Sequence, residues 1–201
     1  MSGSHVPDGG FGAERDLLHL PGGVVPTTGL DTAYRLDLVA AAVAATALGA
    51  EPEAIEAVVL GFSTGRHRRE RIARIGDVDY VNDSKATNPH AAAAALRAYP
   101  SVVAILGGRN KGLDLTPLLD IETVRAVVGI GEAGAEIAAV RPGTPVAGSM
   151  DDAVRVSAGL ARPGDTVLLA PGCASFDMFP SYEARGDAFR DAVLGIMQAG
   201  Q

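Results

Sequence analysis

From Arg68 to the carboxyl terminus, short aliphatic runs alternate with helical stretches, and that alternation leaves few folds open. A hairpin comes first, Arg71–Ile75 and Val78–Val81 about a turn at Gly76-Asp77. A helix is predicted from Pro89 to Ala98, with Asn88 at its N-cap and Pro89 at its first position. Strands follow at Val102–Leu106, Ala126–Ile130, Thr144–Ala147 and Thr166–Ala170. Between and after them lie helices near Leu115–Leu119, at Ala133–Val140, at Met150–Ala161 and from about Tyr182 to Met197. Such a chain makes right-handed crossovers and an α/β fold, with a mostly parallel sheet covered on both faces and an antiparallel edge hairpin.

What precedes this region is different in kind. Residues 1–30 are rich in Gly and Pro and read as a flexible lead-in. Residues 31–65 read as an alanine-rich helix pair plus linker: one helix from Asp31 or Thr32 to Leu48, stopped by Gly49, and a second over Glu53–Leu60 with Pro52 in its first turn. The pair is apolar over a wide face and is expected to expose part of it. Residues 66–201 form the main domain.

Composition excludes several function classes. A net charge of −7 argues against nucleic acid or an anionic membrane as partner. No apolar run approaches the length of a transmembrane helix, and MSGSHVPDGG lacks the character of a signal peptide. The lone Cys173 forms no intrachain disulfide and fits a reducing cytoplasm. More informative is the pairing of 15 arginines with only two lysines, Lys85 and Lys111. A position that keeps Lys in so Arg-biased a chain is a candidate for chemistry needing a compact ammonium.

Both lysines fall in loops that directly follow predicted strands, where open α/β sheets bind ligands. Asn82-Asp83-Ser84-Lys85-Ala86-Thr87-Asn88 offers a carboxylate, two hydroxyls and an ammonium before a helix N-terminus. The bland alternative is a capped helix with solvated neighbours. Gly107-Gly108-Arg109-Asn110-Lys111-Gly112 lets the backbone approach a ligand closely and supplies a point charge for a carboxylate or phosphate, against the alternative of a plain glycine turn. In Pro171-Gly172-Cys173-Ala174-Ser175-Phe176-Asp177, Ser175 can donate to a carboxylate, while Cys173 reads as packed rather than reactive. Gly129-Ile130-Gly131-Glu132-Ala133-Gly134 matches GxGxxG, but Glu132 would repel a pyrophosphate, and helix–strand packing by small residues is the better reading. No GxxxxGK[ST] phosphate cradle occurs.

The residues of these loops, in order and spacing, resemble the Mur ligases, and within them the D-glutamate-adding member. The match runs through Gly65-Arg66-His67-Arg68, Asn82-Asp83-Ser84-Lys85-Ala86-Thr87-Asn88, Gly107-Gly108 with Lys111, Ala174-Ser175-Phe176-Asp177, Glu183 and Arg185-Gly186, over about residues 30–198. The resemblance implies a Rossmann-like carboxyl-terminal domain of about six strands that closes over ATP held by a central domain, with residues 31–65 matching that central domain's tail. It also implies a cytoplasmic ligase of peptidoglycan-precursor synthesis, adding D-glutamate to UDP-N-acetylmuramoyl-L-alanine through an acyl phosphate, with ATP and Mg2+ as the complete enzyme's cofactors. By the same resemblance Lys111, Thr87 and Ser175 would hold D-glutamate, Phe176 and Tyr182 would shape its pocket, and Arg68, Asp83 and Lys85 would face the nucleotide. No catalytic residue or metal ligand is assigned, and this chain alone is expected to hold no cofactor and to be inactive. The alternatives are another Mur ligase member or a non-catalytic module that binds a ligand or a partner protein.

Overall fold

The computed structural model describes residues 10–14, 17–27, 30 and 32–199. The chain divides into two compact units, Met1–Thr64 and Gly65–Gln201. In the first, β1 (Gly12–Glu14), β2 (Leu17–Leu20) and β3 (Gly23–Pro26) form an antiparallel sheet, followed by α1 (Thr32–Ala47) and α2 (Pro52–Gly61). For the strands within Gly12–Pro26 this corrects the expectation of a flexible lead-in over 1–30, of which residues 1–9 lie outside the described residues. The Pro-Gly-Gly density marks the turn of a hairpin, in which Leu20 pairs with Gly23 and Leu18 with Val25. Leu18, Leu20 and Val25 are buried with Leu38 and Ala42 of α1 and Ile55 and Val59 of α2. The helix pair therefore has its own sheet to pack on, although Leu36, Leu48, Val58 and Leu60 stay exposed. Asp31, one of the two expected caps of α1, lies outside the described residues.

The second unit is a six-stranded sheet in the order β4 (Glu70–Ile75), β5 (Val78–Asn82), β9 (Thr166–Gly172), β6 (Val102–Gly107), β7 (Val124–Ile130), β8 (Val146–Ala147). Only the β4–β5 edge is antiparallel. Residues alternate along each central strand between two apolar layers, as the period of two requires. Val102, Ala104 and Leu106 of β6 and Leu168 and Ala170 of β9 face α3 (Pro89–Arg97), α4 (Thr116–Leu119) and α5 (Gly131–Val140). Val103, Ile105, Val167 and Leu169 face the opposite layer, with α6 (Met150–Leu160) and α7 (Tyr182–Ala199). Asn88 caps α3, its side chain accepting from the Ala91 amide, and Ser149 caps α6 in the same way. The strand expected over Thr144–Ala147 is confined to Val146–Ala147. Pro145 has no amide hydrogen to give a ladder, and only its carbonyl is used, by Gly129.

The register matters most for the site. Asn82 pairs with Leu169, Gly107 with both Ile130 and Gly172, so the ends of β5, β9, β6 and β7 come level at one edge. The three chemically unusual loops therefore emerge side by side. At the opposite edge Asp165 is buried and accepts from the Ser101 hydroxyl, the Arg162 amide and the Arg125 guanidinium, closing the amino ends of the sheet. No described helix is long and apolar enough to cross a membrane.

Phe189 is fully buried and is the largest apolar side chain that α7 contributes to its layer. Phe189→Ala is expected to destabilise the chain by about 3–5 kcal/mol. Urea unfolding followed by far-UV circular dichroism measures this, and a loss below about 1 kcal/mol would contradict the packing described.

Candidate functional site

The loop after β5 is ordered from within. Asn82, fully buried, accepts the Ser84 amide on Oδ1 at 3.1 Å and donates from Nδ2 to the Gly186 carbonyl at 2.9 Å. The same Nδ2 lies 3.1 Å from Nδ1 of His67, which makes that ring nitrogen an acceptor and places the ring hydrogen on Nε2, 3.8 Å from Asp187. Asp83 continues the strand pairing through its amide to Leu169, and its carboxylate accepts the Arg69 amide at 3.1 Å. His67 and Arg69 both carry positive φ, 60° and 47°, an uncommon backbone for side-chain-bearing residues that clusters at functional sites. Gly186 is required against this segment, because a Cβ there would overlap the His67 ring.

Arg185 joins this loop to the one after β9. Only 1% exposed, it donates from Nε to the Ser84 hydroxyl at 2.9 Å, from Nη2 to the Ser84 carbonyl at 2.8 Å and from Nη1 to the Cys173 carbonyl at 3.1 Å. Ser84 in turn donates to the Tyr182 carbonyl at 2.7 Å. Burial pushes the guanidinium down to about 10, which leaves it charged at neutral pH. Burial also pushes the Cys173 thiol up to about 11, so this cysteine is a packing residue.

The loop after β6 is threaded between its neighbours. Gly107 and Gly108 have φ of 122° and 124°, and a Cβ on them would overlap the carbonyls of Ile130 and Ala174 respectively. Gly108 donates to Ile130 and Arg109 to Ala174, both at 2.9 Å. Beyond this pinned stretch Lys111 is exposed. The GxGxxG segment is occupied by the protein itself. The amide of Glu132, in the first turn of α5, donates to Oδ2 of Asp177 at 2.8 Å, so a carboxylate of the β9 loop fills the place that a phosphate would take at a helix N-terminus. Gly129 and Gly134 approach backbone to backbone, leaving no room for side chains.

The expected site residues are thus placed unequally. Lys85 and Tyr182 touch: the ammonium donates to the phenol oxygen at 3.1 Å. Thr87 is half-buried with its amide on the Lys85 carbonyl, and Asp83 is buried. Ser175 is buried, its carbonyl accepting the amides of Met178 and Phe179. Arg68 and Phe176 are exposed, Phe176 by 61%, as is Lys111. Arg185, His67 and Asn82 fix this geometry and were not singled out from the sequence for a role. The available signal was Gly186: a glycine inside an 18-residue helix costs about 1 kcal/mol and marks a close approach.

Arg185→Ala would strand three acceptor contacts, each costing about 1–3 kcal/mol when buried and unpaired. A loss of at least about 3 kcal/mol is expected, with little rescue by Arg185→Lys, since a single ammonium cannot span the fork. Thermal unfolding of both variants checks this, and full rescue by Lys would contradict it.

The Mur ligase glutamate ligase domain matches residues 67–173. A UDP-N-acetylmuramoylalanine–D-glutamate ligase from Frankia casuarinae is 54% identical over 162 residues, covering 77% of this chain and 34% of the relative. One of the same name from Desulfosudis oleivorans is 48% identical, covering 81% of this chain and 37% of the relative. The chain therefore spans little more than a third of the length of these relatives. In fold it is similar to the MurF ligase from Thermotoga maritima in complex with ADP, with a TM-score of 0.62 at 15% identity over 92% of this chain and 44% of that one. It is also similar to a folylpolyglutamate synthase from Mycobacterium tuberculosis, with a TM-score of 0.57 at 20% identity over 90% of this chain and 45% of that one. With a sheet, loops and sequence of this kind, the chain belongs to the Mur ligase family and carries its glutamate ligase domain.

Proposed function

We propose that this chain is the amino-acid-binding, ATP-closing part of a peptidoglycan-precursor ligase that adds D-glutamate to UDP-N-acetylmuramoyl-L-alanine. The observation that carries the reading is the convergence of three loops at one sheet edge, with a hydroxyl from each of two and an ammonium from the third. Thr87, Ser175 and Lys111 hold the carboxylates of D-glutamate, and Phe176 and Tyr182 bound the pocket. Arg68, Asp83 and Lys85 face the nucleotide. In the complete enzyme ATP would pass its terminal phosphoryl group to the substrate carboxyl, releasing ADP. The D-glutamate amine would then attack the acyl carbon, expelling phosphate and losing a proton to form the amide. This chain's share is to hold that amine in line and to exclude water. Residues 31–65 belong to the tail of the domain that holds ATP.

The sequence here has no P-loop, so the triphosphate is cradled by another part of the ligase, and the chain alone is inactive. Among the described residues no group of three or more His, Cys, Asp or Glu side chains is arranged to hold a metal ion. This chain would act through its own hydroxyls and ammonium groups, and Mg2+ would serve the complete enzyme.

Removing an ammonium that is paired with a buried carboxylate costs about 2–5 kcal/mol. In the complete enzyme, where closure would desolvate the pair, Lys111→Ala is thus expected to weaken use of D-glutamate at least about 30-fold. Lys111→Arg should recover little, because a longer planar fork overfills a pocket sized for a small dicarboxylate. Steady-state kinetics of the complete enzyme, with D-glutamate varied at saturating ATP, measures both. Near-normal efficiency in the two variants would overturn the assignment of this loop.

A further inference from the structure

Lys85 and Tyr182 come from different parts of the chain, and the resemblance gives them different duties. The structure makes them one unit. The Lys85 ammonium donates to the Tyr182 phenol oxygen at 3.1 Å and lies 4.8 Å from the centre of the ring. Both residues are anchored by their backbones: the Lys85 amide donates to the His67 carbonyl at 3.1 Å, and the Tyr182 carbonyl accepts from Ser84. The His67 ring stands edge-on to the Tyr182 ring, 6.2 Å between centres at 83°, which adds a second contact to the phenol ring. A four-carbon stem leading to so many fixed points has little freedom left.

We propose that Tyr182 is a positioning residue for Lys85, its phenol oxygen holding the ammonium at the border between the amino-acid pocket and the nucleotide side. The inference rests on the reading of the site given above. A bare ring would attract the charge over a broad face. The hydroxyl adds a directional acceptor, which confines the ammonium to one edge of the ring. Because one side chain both walls the amino-acid pocket and fixes a nucleotide-facing cation, occupancy of the pocket is felt at Lys85. The choice of Lys in a chain with 15 arginines has the same logic, since a guanidinium would stack flat on the ring instead of ending on its oxygen.

With only two lysines in the chain, 13C-lysine labelling gives two side-chain NMR signals, and Lys85→Met assigns them. The Lys85 ε-methylene is expected to be displaced by the ring current and to stand apart from exposed Lys111. Tyr182→Phe keeps the ring and removes the acceptor, and should move the Lys85 signal towards that of Lys111; Tyr182→Leu should abolish the displacement. A Lys85 signal coincident with Lys111 in the wild type, or unmoved by Tyr182→Phe, overturns the proposal. Titration with D-glutamate separates the two levels of the reading. It should move both signals in the wild type, while in Tyr182→Phe the Lys85 response shrinks and that of Lys111 persists. If neither signal moves although Lys85 stays displaced in a Tyr182-dependent way, the D-glutamate assignment falls and the positioning pair stands. If both move equally in wild type and Tyr182→Phe, the pair carries no coupling and the proposal falls with the D-glutamate assignment intact.

Discussion

A single buried guanidinium holds the site together. Arg185 reaches from the first turns of α7 into the gap between the loops after β5 and β9, and satisfies acceptors on both. Its Ser84 partner passes the constraint to the Tyr182 backbone, and the neighbouring Asn82 passes it to His67 and Gly186. A cation taken out of water tolerates such a position only when its donors are met with good geometry. The loops after β5 and β9 are therefore tied to one another by the protein's own contacts, a preorganisation of the kind that reduces the entropic cost of ligand binding.

The parts of the fold that were legible in the sequence share a physical feature: strong, local patterning. Val102–Leu106 and Thr166–Ala170 are apolar on both faces because helices cover both faces, and glycine or proline punctuates their ends. The sheet over Gly12–Pro26 was missed for the opposite reason. Its strands have three or four residues, and a turn-forming Pro-Gly-Gly dominates the composition while Leu18, Leu20 and Val25 carry the burial. The sheet-end loops announced themselves through glycines directly after predicted strands and through lysines in an arginine-rich chain. The residues that order those loops did not. His67 meets Asn82 across 15 positions and Ser84 meets Arg185 across 101, and no local rule reports a partner at that distance.

The GxGxxG segment shows how tertiary context decides between readings that local sequence leaves open. The strand, the turn and the helix are all present, as a dinucleotide site requires. The Asp177 carboxylate nevertheless occupies the helix N-terminus, seated against Gly131 where a side chain would collide with it. The anion at this helix is supplied by the chain, and its effect is to tie the loop bearing Ser175 and Phe176 to α5. A motif that elsewhere binds a cofactor here braces the loop after β9.

The proposed function requires three loops to act as one pocket for D-glutamate. An amide-resolved NMR titration of the chain with D- and L-glutamate addresses it directly. D-glutamate is expected to shift amides in residues 85–88, 109–112 and 174–177 along one common binding curve, to leave the amides of α1 unmoved, and to outcompete L-glutamate. Shifts confined to one loop, separate binding curves for different loops, or equal response to both enantiomers would contradict it.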